Sequence, residues 1–148
     1  MAGTRIDHAL PQIIAHPDLA HIWVASSLAV SSTAASAAAR SVKAVQAHGW
    51  QVAIALPRPE GGSRAAQAEV ADALGLREPA ERNLDALADQ LLDLPESWPG
   101  CRALALIVTI DKLDNPGLLR VLSDRSERLL RLDGFQLETV LLTNGTTA

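Results

Sequence analysis

Residues 78–96, EPAERNLDALADQLLDLPE, carry six acids (Glu78, Glu81, Asp85, Asp89, Asp93 and Glu96) against one base, Arg82. Their local charge is −5, whereas the whole 148-residue chain, with 13 bases and 17 acids, carries −4. The excess negative charge therefore sits in one short stretch. A field concentrated in this way steers a protein toward a partner of opposite charge, so the chemistry on offer is recognition of cations by carboxylates. Advancing ~100° per residue from Leu84, the apolar positions Leu84, Leu87, Ala88, Leu91 and Leu94 fall on one helical stripe. Glu81, Asp85, Asp89 and Asp93 climb the other side at four-residue steps. Like charges at that spacing destabilise a helix by ~0.2–0.5 kcal/mol per pair. The spacing also puts Asp93 near the helix C-terminus, where the macrodipole disfavours an anion. Only Arg82, placed between Glu78 and Asp85, relieves the row. Two readings stand: a solvated face kept for solubility, or a binding face for cations on another protein.

Other reactive residues form weaker patterns. His8, His16 and His21 have no Cys or acid at a standard ligand spacing, so they read as surface histidines and no metal is expected. Asp111 and Asp114 follow an apolar strand, at the edge where α/β proteins place active sites, but DKLDNP also reads as an Asx/Pro helix entry. Gly61-Gly62-Ser63 lacks both the phosphate-loop lysine and the dinucleotide glycine spacing. Ser26, Ser27, Ser31 and Ser32 show no nucleophile elbow and read as helix caps. A small enzyme built around Ser27, Asp111 and Asp114 is the catalytic alternative. Cys101, beside Pro99-Gly100, reads as a structural thiol at a strand entry. Trp23 and Trp50 are expected in or beside the core, and Trp98, in a Pro-rich loop, is the aromatic side chain placed to touch a partner.

These residues need a frame. Residues 1–19, with Pro11 and Pro17, read as an irregular lead-in or a short helix. HIWVASSLAV from His21 is apolar and β-branched enough for a strand, and the Ala-rich run after it forms a helix ending at His48-Gly49. WQVAIAL (50–56) is a second strand, stopped by Pro57 and Pro59. Ser63 caps a helix through Leu74, with Gly75 just past its end. The acidic helix follows, ending by Pro95. ALALIVTI (103–110) is apolar on both alternating faces, as a central parallel strand should be. Asn115-Pro116 opens a helix in which Leu118, Leu119, Leu122, Leu129 and Leu130 share a face and which Gly134 ends. FQLETVLLT (135–143) is the last strand. The order β-α-β-α-α-β-α-β puts a helix in every strand-to-strand connection. It predicts an α/β fold with a small, mostly parallel sheet and right-handed crossovers.

The totals bound the rest. A chain of this length forms one domain, here 1–148, and buries ~70% of its unfolded surface. Its 48% apolar and 20% charged residues are ordinary for a globular protein. A lone cysteine allows no internal disulfide, the N-terminus lacks the apolar run of a signal peptide, and no stretch is long enough for a membrane span. A cytoplasmic protein is expected. Net acidity without a basic stripe argues against direct nucleic-acid binding. No sequence feature calls for a cofactor.

Asn83-Leu84-Asp85-Ala86-Leu87, followed by Ala88-Asp89, resembles the signature helix of the barstar family of intracellular ribonuclease inhibitors. The resemblance extends over residues ~50–143 through the order of elements: strand, helix ending ALGL-REP, loop into NLDAL, apolar strand, long helix and terminal strand ending VLLT. It implies a barstar-like core at 50–143, with residues 20–49 added as an extra N-terminal βα unit at one sheet edge and 1–19 as a lead-in. It also implies a non-enzymatic inhibitor or immunity protein for a basic ribonuclease or nuclease-type toxin. In that family an aspartate at the position of Asp89 enters the enzyme's active site in place of a substrate phosphate, and one at the position of Asp85 faces its cationic rim. Paired anions on a rigid helix imitate a phosphodiester with little entropy to lose. Glu81, Asn83 and Asp93 complete the expected contact face. The departures lie around it. The family's tyrosine-rich loop matches Pro79 and Ala80, a loop glycine matches Glu81, the aromatic before the key aspartate matches Ala88, and the small polar pair beyond it matches Leu92 and Asp93. Aromatic anchors dominate most hot spots, so this chain is expected to lean on charge or on Leu92 and Trp98. A barstar-fold binding or regulatory module with a non-ribonuclease partner is the alternative these losses motivate.

Overall fold

The computed structural model describes Ile6 and residues 13–25, 42–55, 69–76, 84–110 and 116–143. Five strands form one sheet: β1 (Ile13–Ala15), β2 (Ile22–Ala25), β3 (Gln51–Ala55), β4 (Ala103–Ile110) and β5 (Gln136–Thr143), in the spatial order β1-β2-β5-β4-β3. The pairs β3–β4, β4–β5 and β2–β5 are parallel. Three helices are α1 (Leu84–Leu91), α2 (Leu94–Ser97) and α3 (Pro116–Asp133), and residues 42–46 and 69–73 are also helical. The α/β class and the mostly parallel sheet agree with the alternation of apolar strands and helical periods.

Strand β4 explains the layering. Leu104, Leu106 and Val108 point into one apolar cluster, while Ala105 and Ile107 point into another. Successive strand side chains alternate between faces, so a strand buried on both must be apolar throughout. The larger cluster joins that strand face to Leu87, Leu91 and Leu94 and to Leu118, Leu119, Leu122 and Leu129 of α3. The smaller one holds Ile6, Val45 and Trp50. Gly117 lets α1 and α3 approach closely, since a Cβ there would lie 2.9 Å from Leu84 Cδ1. Gly134 stops α3 at φ +65, and the backbone N–H groups of Gly134 and Phe135 close on the carbonyls of Leu130 and Leu129. Glycine takes that left-handed conformation without a Cβ penalty.

The N-terminal region differs from expectation. Residues 13–15, expected as irregular lead-in or helix, form β1, and β1 pairs antiparallel with β2. That connection is a short turn with no helix in it, so the addition at the sheet edge is a hairpin rather than a βα unit alone. The hairpin docks through β2 on β5. His21, expected as the first strand residue, lies in the turn before β2 with φ 66. Leu130, expected on the buried face of α3, is 40% exposed, and Ser126 is fully buried on that helix. The sequence's 3.6-residue period allows either, and packing against β5 selects the second.

Candidate functional site

The acidic region is two helices rather than one. α1 ends at Leu91, and Leu92 and Asp93 form a turn before α2. Asp93 is the N-cap residue of α2, and its carbonyl accepts the N–H of Glu96 at 2.9 Å. The sequence placed it at a helix C-terminus, against the dipole. In the structure Pro95, which favours the first turn of a helix, restarts the chain and puts the carboxylate at a helix start. The expected row of like charges therefore contributes Asp85 and Asp89 to α1 and stops there.

Leu87 and Leu91 are fully buried and Ala88 is 6% exposed, so one face of α1 is fixed on the core. Each such leucine contributes ~1.5–3 kcal/mol by leaving water. Asp85 and Asp89 are exposed on the other side, one turn apart. Asp85 lies in the first turn, where the helix dipole favours a carboxylate. Leu92 and Trp98 are half-buried and pack on the same core. The Trp98 indole N–H donates to the carbonyl of Leu74 at 2.9 Å, so its polar edge ties the loop after α2 to the turn that follows the helical residues 69–73 instead of facing outward. Glu81 and Asn83, with Glu78, Arg82, Asp111, Asp114, Ser26, Ser27, Ser31, Ser32, His8 and the Gly61-Gly62-Ser63 segment, lie outside the described residues.

A second polar cluster was not anticipated. Glu138, on β5, is 3% exposed. Its Oε2 lies 2.7 Å from His21 Nδ1, and its Oε1 accepts the Trp23 indole N–H at 2.7 Å. His21 Nε2 lies 3.0 Å from Glu127 Oε1 of α3, and Arg131 donates to the other Glu127 oxygen at 3.5 Å. The cluster thus ties the hairpin turn and β2 to both β5 and α3. Hydrogen bonding to Glu138, opposed by burial and reinforced by the charges of Glu138 and Glu127, raises the His21 pKa from 6.5 to about 9. Pairing with His21, followed by Arg131, holds Glu127 below the usual carboxylate range. The reading of His21 as a surface histidine is therefore corrected: it is a half-buried cation between two carboxylates. The available signal was Glu138 itself, an acid in a strand whose neighbours demand burial on both faces, where a charge survives only with a partner.

Cys101 is buried, burial pushes its thiol up, and its S–H donates to the Ala103 carbonyl at 3.5 Å. Those features suit the structural thiol read from the sequence. Among the described residues no group of three or more His, Cys, Asp or Glu is arranged to hold a metal, and no helix is long and apolar enough to cross a membrane. The comparisons with known proteins return no matching family model, curated protein or solved structure.

Proposed function

We propose that this chain is a barstar-like, non-enzymatic inhibitor or immunity protein that binds the active site of a basic ribonuclease or nuclease-type toxin through α1. The observation that carries the reading is the pairing of Asp85 and Asp89, exposed one turn apart on a helix whose opposite face is locked into the core. A helix held that way loses little freedom when it binds, so its carboxylates are preorganised for a cluster of cations. The parallel β3–β4–β5 arrangement with α3 between β4 and β5 is compatible with the family resemblance over residues ~50–143. In this reading Asp89 takes the place of the substrate phosphate and Asp85 meets the cationic rim, with Glu81, Asn83 and Asp93 at the margins. No cofactor or metal takes part, and the inhibitor works inside the cell.

The alternative is a binding or regulatory module of the same fold with a non-ribonuclease partner. Trp98 favours it: the aromatic side chain expected to stand in for the family's missing tyrosines spends its N–H on Leu74, which leaves charge to lead recognition. Affinity capture from lysate and secreted fractions of the source organism separates the two readings. A basic protein whose ribonuclease activity falls in proportion to added chain supports the inhibitor. A basic protein without nuclease activity, bound through the same aspartates, supports the module.

A further inference from the structure

We infer that the β1–β2 hairpin is a proton-dependent clasp on the β5 edge, closed while the His21 ring is an imidazolium shared by Glu138 and Glu127. An imidazole can donate from both nitrogens only as a cation, and both His21 nitrogens lie at donor distance from carboxylate oxygens, 2.7 Å and 3.0 Å away. His16, at the other end of the same turn, closes it through the backbone: its Nδ1 accepts the N–H groups of Asp18 at 3.0 Å and Leu19 at 3.2 Å.

The backbone ties this turn to the sheet. His16 N–H donates to the Ile22 carbonyl at 2.8 Å, and Thr139 N–H donates to the His21 carbonyl at 3.0 Å. His21 is also the only non-glycine residue at positive φ among those described, a strained conformation that persists when side-chain contacts impose it. Without the ring's two carboxylate bonds that strain favours opening. The groups facing the ring are Glu138 on β5 and Glu127 on α3, the latter also paired with Arg131. The raised His21 pKa of about 9 is in keeping with this geometry. Stability from the His21 pairing is full below the ordinary histidine value of 6.5 and is lost as pH rises through about 9. Opening uncovers β5 as an edge strand with Glu138 uncompensated.

The test is hydrogen-exchange protection on the full chain, followed by NMR at the Trp23 indole N–H and the Thr139 amide, with the Trp98 indole as internal reference. Between about pH 7 and about pH 10 the first two should lose protection ~tenfold, a discount on the full pKa shift for the ring's partial exposure, while Trp98 holds. His21→Asn, which keeps one hydrogen bond and no charge, should show low Trp23 and Thr139 protection with no alkaline step. Glu127→Gln, at the exposed end of the cluster, should move the midpoint to lower pH. Protection unchanged to about pH 10, loss at Trp23 and Trp98 together, or an unmoved midpoint in Glu127→Gln would overturn the proposal.

Discussion

Two regions of this molecule use carboxylates in opposite ways. On α1, Asp85 and Asp89 are exposed side chains carried by a buried backbone face, so the fold positions them without enclosing them. At the hairpin, Glu138 is enclosed and both its oxygens are taken up by His21 and Trp23. The pairing of an exposed carboxylate is screened by water and adds little to stability. A buried carboxylate is costly unless it is fully satisfied, and its bonds are then internal. The difference assigns assembly of the N-terminal hairpin to Glu138 and leaves α1 as the face proposed for recognition.

Breaking the buried side should give the largest effect. Glu138→Ala strands the His21 cation and the Trp23 N–H, and is expected to cost ~3–5 kcal/mol in denaturant unfolding. A loss as small as that of an exposed acid would erase the distinction drawn here. Leu87→Ala, beneath the acidic face, should cost ~2–5 kcal/mol by leaving a cavity, and partner binding should weaken with it as α1 loosens. Thr139→Val points the other way. Its hydroxyl is buried without a partner, so exchanging it for a methyl of similar shape should stabilise the chain by ~1 kcal/mol. A destabilised Thr139→Val protein would show that the hydroxyl is satisfied in solution. Asp89→Ala should change stability by no more than ~0.5 kcal/mol, as surface substitutions do. Thermal melts check this directly.

Much of the scaffold was legible because it rests on local rules. Alternation through ALALIVTI required a strand buried on both faces, and the clusters on either side of β4 are the result. Pro116 and Gly134 marked the two ends of α3, where a fixed φ and a positive φ are needed. The acidic stripe of α1 followed from helical period alone. What stayed hidden depends on distant residues. Strand β1 has three residues and forms only because β2 offers a partner, which no local pattern announces. The break between α1 and α2 turned on whether Pro95 ends one helix or begins another, and Leu94, fully buried, decides it through packing. The His21–Glu138 pair joins positions 117 residues apart. Glu138 was visible as an anomaly in an apolar strand, but its partner could be found only in three dimensions. The same holds for Trp98, whose N–H finds a carbonyl 24 residues away.

The central claim is that α1 recognises a basic partner through Asp89 without depending on it for folding. Titration calorimetry of wild type and Asp89→Ala against the captured partner, with melting temperatures recorded on the same samples, tests it most directly. The account predicts binding weakened by ~3 kcal/mol or more, as expected for a hot-spot charge, with melting unchanged. Affinity within about threefold of wild type, a difference below ~0.7 kcal/mol, would contradict it and leave the acidic face of α1 as a solvated surface.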